Sequence, residues 1–264
     1  MCFAHLFVPL HAQKMKISII TVTYNSARTV KDTLESVLRQ TWEDIDYIVV
    51  DGCSSDQTMD IVRQYEPRFH GRMRWISEKD HGIYDAMNKG FRMATGDVVG
   101  LINSDDMFCC DNAIEMVMRK FEENSDADAV YADLMYVGSN NTDKVIRNWI
   151  TGKQRPMAKG WLPAHPTFYV RKHIYEQYGY FNLRYKLAAD FELMLRFIEK
   201  YHIRLVYLPE KLVRMRYGGA TSSSLKNIIR QDKECFSAFK DNQIPVSCLY
   251  PVLRLLSKIK QFNL

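Results

Sequence analysis

Two adjacent carboxylates, Asp105 and Asp106, follow an apolar run of the sequence and are the first candidates for chemistry. Acids at the end of a buried strand are costly unless water or a cation neutralises their charge. Mg²⁺ and Mn²⁺ are held by one or two carboxylates together with the phosphate oxygens of a substrate. The pair alone leaves both a metal site and a solvated turn open, and solvated turns are the commoner of the two.

Polar clusters follow four predicted strands in the first hundred residues. The strands alternate with helical patterns, which predicts a mostly parallel sheet with helices on both faces. Ligands bind such sheets at the carboxyl ends of the strands. Ordinary turns are also rich in Asn, Asp, Ser and Gly, but four clusters in register favour a binding site. The strands are predicted at residues 16–23, 46–51, 73–77 and 97–103, and the clusters are Thr23-Tyr24-Asn25, Asp51-Gly52, Ser77-Glu78-Lys79-Asp80 and Asn103-Ser104-Asp105-Asp106.

The elements that position these clusters have readable boundaries in the first half of the chain. Asn25 or Ser26 is predicted to cap the first helix, and Ser54 with Gln57 to form a capping box before the second. Beyond residue 110 the pattern is less regular, with no internal repeat or low-complexity linker. Further helices are predicted near 114–121, 191–198 and 227–239, strands at 129–131, 145–149 and 204–208, a shaped loop with a strand over 160–169, and a polar loop over 216–224.

The composition of the 264 residues is that of a globular protein, with 47% hydrophobic residues and a net charge of +5 from 36 basic and 31 acidic side chains. Wholesale disorder and fibrous repeats are therefore excluded. The six cysteines form no C-x-x-C pair, which favours reduced thiols of a cytosolic protein over a zinc site or a disulfide framework. The signatures of dinucleotide and P-loop sites are missing, no apolar run reaches the roughly 18 residues of a membrane span, and scattered Lys and Arg disfavour nucleic acid.

Three segments together closely resemble the family 2 glycosyltransferases: SIITVTYNSARTVKDTLESVLRQTWEDIDYIVVDGCSSDQT, EKDHGIYDAMNKGFRMATGDVVGLINSDD and AADFELMLR. The resemblance runs from about Lys16 to about Ser223. It implies a GT-A fold and inverting transfer from a nucleotide-diphosphate sugar, with a UDP-sugar expected, to a saccharide or polyprenyl-linked acceptor in bacterial cell-envelope polysaccharide biosynthesis. The expected organisation is an N-terminal extension over 1–14, a GT-A domain over 15–225 with a nucleotide-sugar half (15–110) and an acceptor half (111–225), and a helical segment over 226–264.

The resemblance also implies where the nucleotide binds. Asp85 and Asn88 are equally compatible with this site and with the surface of the third helix. Each residue that the resemblance implies in nucleotide binding also has a structural alternative, namely packing at a strand end, a helix cap or a turn. These residues are Thr23, Tyr24 and Asn25 in the nucleoside pocket, Asp51 on the base, and Asp80 and Gly82 near the nucleotide.

The D-x-D metal motif of the family stands here as Asn103-Ser104-Asp105. The resemblance implies that Asp105 binds Mn²⁺ or Mg²⁺, with Asp106 flanking it and Ser104 near the nucleotide. The cation would bridge the two phosphates and neutralise the charge that develops on the departing diphosphate. Because Asn103 replaces the first acid, we expect weaker metal binding or a different metal preference without loss of function.

Asp190 matches the general base of the family, although Ala189 stands where a Glu commonly precedes it. An inverting transfer needs one carboxylate that removes the proton of the acceptor hydroxyl during attack. The structural alternative for Asp190 is a helix N-cap, a position that Asp favours. Glu192 is the competing carboxylate.

Two further segments carry candidate site residues, and one of them resembles a loop of the family. His165, between Pro163 and Pro166, is a candidate contact for the diphosphate or acceptor, although most histidines are structural or exposed. Arg216 resembles the start of a loop that closes over the diphosphate, because Arg suits bidentate phosphate contact and glycines permit movement. The alternative is a flexible surface loop. The remaining residues of the implied lid are Gly218, Gly219 and Thr221.

The C-terminal segment predicts an amphipathic helix. Such a helix lies in a membrane interface or packs on its own domain, and the sequence favours neither. The expected location is cytoplasmic, with peripheral contact at the inner membrane face as one option. The apolar stripe comprises Val252, Leu255, Leu256 and Ile259, and the basic residues opposite are Arg254, Lys258 and Lys260.

Two alternatives to a glycosyltransferase stay open at this point. A sugar-nucleotide pyrophosphorylase also uses a nucleotide-binding α/β sheet, but a Gly- and Arg-rich loop would be expected after the first strand, where Thr23-Tyr24-Asn25-Ser26 stands. A non-catalytic module that binds carbohydrate or membrane would bind nucleotide without turnover.

Overall fold

The computed structural model describes residues 15–218 and 225–259. The predicted extension over 1–14 lies outside this part, as do Gly219 and Thr221 of the predicted lid. Nine strands and eight α-helices occupy the described residues. The strands are β1 Ile17–Thr23, β2 Ile45–Asp51, β3 Met73–Ser77, β4 Val98–Leu101, β5 Met107–Phe108, β6 Ala129–Val137, β7 Val145–Trp149, β8 Phe168–Arg171 and β9 Leu205–Arg216. The helices are α1 Val30–Leu38, α2 Thr58–Tyr65, α3 Ile83–Met93, α4 Ala113–Glu123, α5 Lys172–Tyr178, α6 Ala189–Leu195, α7 Leu225–Asp241 and α8 Tyr250–Ile259.

One sheet carries all nine strands in the order β3-β2-β1-β4-β8-β6-β9-β5, with β7 paired to the free part of β6. The first four strands are parallel, with β1 between β2 and β4 and with β3 beside β2. Antiparallel pairs between β4, β8 and β6 join the second half to this unit. The carboxyl ends of β1, β2, β3 and β4 therefore share one edge, as the alternating sequence pattern predicts.

The sheet separates two apolar cores, because successive side chains of a strand point to opposite faces. Ile17 and Ile19 of β1 pack with α1, α2 and α4 on one face. Ile20 and Val22 pack with α3, α5 and α6 on the other. The predicted fold class, a GT-A-like sheet with helices on both faces, is confirmed.

The predicted helix caps are wrong in both cases. The N-cap of α1 is Thr29 and that of α2 is Gln57, and neither makes a side-chain capping hydrogen bond. The residues expected to cap have other partners: the N–H of Asn25 donates to Ser54 Oγ, whose own hydroxyl donates to Asp51. Hydrogen bonds between loops therefore use the polar groups that the local sequence pattern assigns to helix capping.

The second half differs most from the predicted elements. β6 and β9 are longer than expected because they pair in parallel from Ala129 to Val137, a contact between distant segments that composition does not reveal. Arg216, expected at the start of a mobile loop, is the last residue of β9. Neither α5 nor β5 is predicted by the sequence pattern.

The C-terminal helices pack on the domain. Tyr250 is buried against Phe191 and Phe239, and Arg254 pairs with Asp232 of α7. The face turned inward is therefore not the predicted apolar stripe. Val252, Leu255 and Leu256 are exposed instead, and the side chains of Lys258, Ile259 and Lys260 lie outside the described part. No helix among the described residues is long and apolar enough to cross a bilayer, and the five cysteines of this part are free thiols.

Candidate active site

The loops that follow β1, β2 and β4 are joined by direct hydrogen bonds. The N–H of Gly52 donates to the carbonyl of Thr23 over 2.9 Å, and Asn25 Oδ1 accepts from the N–H of Ser55 over 2.8 Å. The hydroxyls of Ser26 and Ser104 lie 2.9 Å apart, which connects the β1 and β4 loops. The structure thus brings together loops that the sequence places at one sheet edge.

Gly52 allows the β1 and β3 loops to approach each other. A Cβ atom at this position would lie 2.5 Å from Asp80 Oδ2 and 3.4 Å from a ring carbon of Tyr24. Tyr24 keeps 65% of its surface exposed, and Asp80 Oδ1 accepts from the N–H of Gly82 over 2.8 Å. An open aromatic ring beside a carboxylate is suited to a planar, hydrogen-bonding ligand such as a nucleoside base.

Asp51 is fully buried and both of its carboxylate oxygens are engaged within the protein. The hydroxyl of Ser54 donates to Oδ1, while the hydroxyl of Ser77 and the N–H of Ser54 donate to Oδ2. The carboxylate therefore fixes the β2 loop against β3. Thr23, also buried, has an Oγ1 atom with no hydrogen-bond partner in the described part of the chain.

Asp105 and Asp106 point into different surroundings. Asp106 is buried, accepting from the N–H of Arg216 over 3.2 Å and from the amide of Asn103 over 3.0 Å. Burial and, second, the charge of Asp105 raise the pKa of Asp106 to about 8. Burial also raises the pKa of Asp105, which stays half-buried with no side-chain hydrogen bond to another described residue. The predicted pair thus offers one open carboxylate, that of Asp105, rather than two.

Arg216 links this acidic turn to the interior of the domain. Its guanidinium donates to the carbonyl of Asp105 over 2.7 Å and forms an ion pair with Asp32. It is buried at the end of β9, and these contacts hold the turn in place. Gly218, two residues later, has a φ of +115°, which glycine adopts without strain.

A cavity of about 1130 Å³ adjoins the acidic turn and has Asp190, His165 and Arg216 in its wall. The hydroxyl of Tyr84 donates to Asp190 Oδ1 over 3.1 Å. Asp190 lies in the first turn of α6 and Ala188 is the N-cap, so the N-cap interpretation of Asp190 is wrong. Asp105 does not line the cavity itself, but its carbonyl binds the guanidinium of Arg216, which does.

Glu192 has both of its carboxylate oxygens engaged within the protein. Its side chain is buried, and its oxygens accept from Arg196 over 2.9 and 3.1 Å and from the amide of Asn242 over 3.1 Å. His165 faces the cavity, where burial lowers its pKa and the charge of Asp190 partly opposes that change. A lowered pKa keeps the imidazole neutral near pH 7.

The two candidates on α3 have structural contacts. Asp85 accepts from the N–H of His81 over 3.0 Å, which fixes the turn before the helix. Asn88 is buried, not on the surface, and exchanges two hydrogen bonds with the backbone of Phe181. Sequence patterns do not reveal Tyr84 as the partner of Asp190, because 106 positions separate the two and no local pattern connects them.

The donor set at the acidic turn fits an oxygen-seeking cation. No group of three or more His, Cys, Asp or Glu side chains with metal-ligand geometry occurs among residues 15–218 and 225–259. A Mg²⁺ or Mn²⁺ ion at Asp105 would therefore take its other ligands from phosphate and water, as Mg²⁺ commonly does. Asn103 Oδ1, buried without a hydrogen-bond partner in the described part, is a second oxygen of this turn.

Comparison with known proteins shows which family the chain resembles. Residues 18–187 match the model of "Glycosyl transferase family 2". The chain is 30% identical over 181 residues to a "PGL/p-HBAD biosynthesis glycosyltransferase" of Mycobacterium bovis (strain BCG / Pasteur 1173P2), with 68% of each chain covered. The family match ends three residues before Asp190.

Solved structures share the fold at low sequence identity. TarS 1-349 of S. aureus in complex with UDP aligns with a TM-score of 0.62 at 18% identity, covering 95% of this chain and 72% of that one. The mannosyltransferase PcManGT of Pyrobaculum calidifontis, in complex with GDP-Man and Mn²⁺, aligns with a TM-score of 0.65 at 17% identity, covering 94% and 70%. Only 37% of a longer TarS chain is spanned.

Proposed function

Since the chain belongs to glycosyl transferase family 2, we propose that it transfers a sugar, with inversion, from a nucleotide-diphosphate sugar to a hydroxyl of a saccharide or lipid-linked saccharide. UDP is the expected nucleotide. The observation that carries the proposal is the shared cavity of Asp190 and Arg216, with Arg216 bound to the acidic turn of Asp105. UDP in the TarS complex and GDP-Man with Mn²⁺ in PcManGT support a nucleotide-sugar donor.

Asp190 is the proposed general base. Its carboxylate takes the proton of the acceptor hydroxyl while that oxygen attacks the anomeric carbon, and the nucleoside diphosphate departs from the opposite face. Tyr84 holds Asp190 Oδ1 through a donated hydrogen bond, which leaves Oδ2 for the acceptor. The neutral imidazole of His165, in the same wall, is available to position the acceptor by hydrogen bonding.

The donor is proposed to span the sheet edge. Tyr24 and Asp80 border the base, with Thr23, Asn25, Asp51, Gly82 and Ser104 shaping the surrounding loops. Asp105 would hold a divalent cation, which supplies charge neutralisation on the diphosphate when bound. Asp106 supports that turn from inside instead of binding the cation. Envelope polysaccharide assembly on the cytoplasmic side of a bacterial membrane is the proposed setting.

The first experiment is a donor panel. Release of nucleoside diphosphate from UDP- and GDP-sugars is measured with Mn²⁺, with Mg²⁺ and with EDTA. We expect metal-dependent release from one donor class. No release and no nucleotide binding with any donor would reject the proposal. Nucleotide binding without release, unchanged in Asp190→Asn, would identify a non-catalytic module instead.

A further inference from the structure

The C-terminal helices form an apolar part of the wall around Asp190. Ile228 of α7 and Leu255 and Leu256 of α8 line the same cavity as the proposed base. These three residues are 44%, 61% and 51% exposed. Exposed apolar side chains are ordinary when scattered singly, but several that line the same cavity as a reactive carboxylate are typical of a ligand-binding surface.

The cluster lies at a distance from the reacting carboxylate. Tyr250, at the start of α8, contacts Phe191, the neighbour of Asp190, with ring centroids 6.0 Å apart. A helix rises about 1.5 Å per residue, so Leu256 lies about 9 Å further along α8. α7 and α8 run antiparallel, because Tyr250 contacts Phe236 whereas Arg254 pairs with Asp232. Ile228 therefore lies toward the same far end as Leu256.

An ion pair lies part-way along the two C-terminal helices. Asp232 and Arg254, which form an ion pair of 2.7 Å, lie between the Tyr250 end and the Leu256 end of the helix pair, and both belong to the cavity wall. The helix pair thus adds an ion pair and apolar side chains to the cavity that holds the carboxylate of Asp190. A molecule that matches these three kinds of group has a reactive hydroxyl, a polar ring and an apolar end.

We infer that the acceptor is an amphiphilic glycoside, whose sugar hydroxyl meets Asp190 and whose apolar aglycone lies against Ile228, Leu255 and Leu256. The inference rests on the proposed function. Continuity of the apolar cluster with the reactive cavity favours this occupant over a lipid bilayer. Leu249 and Val252 are equally exposed residues of the α8 segment but do not line the cavity.

The test compares n-octyl β-D-glucopyranoside, kept below its micelle concentration, with methyl β-D-glucopyranoside. Binding to the full chain is followed by tryptophan fluorescence, since Trp149 and Trp161 lie in the cavity wall. We expect the octyl glycoside to bind at least about tenfold tighter, and the Leu255→Ser/Leu256→Ser variant to lose about tenfold of that affinity. The matched control, Leu249→Ser/Val252→Ser, should bind like the wild type.

Two results would overturn the inference. Equal affinity for the two glycosides shows that no apolar subsite exists. Equal loss in the control variant, together with co-sedimentation of the wild type with phosphatidylglycerol vesicles, assigns the exposed leucines to a membrane surface. UDP titration of the same samples separates the two proposals. UDP binding without octyl preference refutes only the amphiphile, whereas absent UDP binding argues against the proposed function.

Discussion

The loops at the ends of β1, β2, β3 and β4 and the cavity around Asp190 are built in different ways. The loops follow consecutive strands of one parallel unit and are fixed by short polar side chains such as Asn25 and Asp51. The cavity joins α6, the end of β9 and the two C-terminal helices, which are distant in sequence. The loops are suited to hold a donor, whereas the cavity is suited to hold and activate an acceptor. Variants in the two regions should therefore fail in different steps.

Asp190→Asn is expected to have the largest effect of the four variants below. Without the proposed base, transfer should fall by about 10²–10⁴-fold, while UDP affinity stays unchanged because Asp190 lies in the cavity and not in the loops. Steady-state transfer and calorimetric UDP titration measure the two quantities. Asp111→Asn, an exposed surface carboxylate, is the control. If Asp190→Asn lowers UDP affinity as well as transfer, the assignment of donor binding to the loops and of catalysis to the cavity is contradicted.

Asp105→Asn should weaken metal-dependent donor binding. Loss of the one open carboxylate at the turn is expected to reduce UDP affinity roughly 10–100-fold in Mn²⁺ and to leave affinity in EDTA unchanged. Titration of UDP with and without Mn²⁺ checks this. An equal reduction in both conditions would show that Asp105 supports the fold of the turn and does not hold a cation.

Gly52→Ala should weaken the nucleoside end alone. The added Cβ displaces the carboxylate of Asp80, and we expect about tenfold weaker UDP binding with transfer at saturating donor almost unchanged. In the Asp80→Ala background there is no carboxylate to displace. Gly52→Ala should then reduce UDP affinity little further. If it still reduces UDP affinity about tenfold in that background, the substitution does not act through Asp80.

Asp106 should make stability depend on pH in the metal-free protein. Its folded pKa of about 8 lies above the value of an unfolded Asp, so the folded state binds a proton more tightly. The resulting stability is present at acidic pH and is lost as pH rises from about 4 through about 8. We expect Asp106→Asn to remove that loss, a change of a few degrees in Tm in EDTA. Identical pH profiles of the two proteins would contradict the burial argument.

The sequence predicts the first region better than the second for a physical reason. Parallel strands in alternation with helices put their carboxyl ends at one edge, so the positions of Thr23, Asp51 and Asp105 follow from local patterns. The hydrogen bond from Tyr84 to Asp190 and the position of Arg216 in β9 depend on long-range pairing. The predicted caps are wrong because Asn25 and Ser54 hydrogen-bond across two loops. Local helix propensity carries no information about such a contact.

The same limit applies to the C-terminal helix. Its amphipathic spacing is readable, but which face turns inward is decided by Tyr250 in an aromatic cluster and by Arg254 with Asp232. Those contacts leave Leu255 and Leu256 at the cavity. Periodicity therefore shows that an apolar stripe exists, and tertiary packing determines what the stripe is available to bind.

The stereochemistry of donor hydrolysis tests the central claim, a single base acting across from the leaving diphosphate. NMR would follow the first sugar anomer released when the wild type and Asp190→Asn hydrolyse an α-linked nucleotide sugar selected by the donor panel. The β-anomer should appear first with the wild type, and release should nearly stop in the variant. First appearance of the α-anomer, or an unchanged rate in Asp190→Asn, would contradict the account.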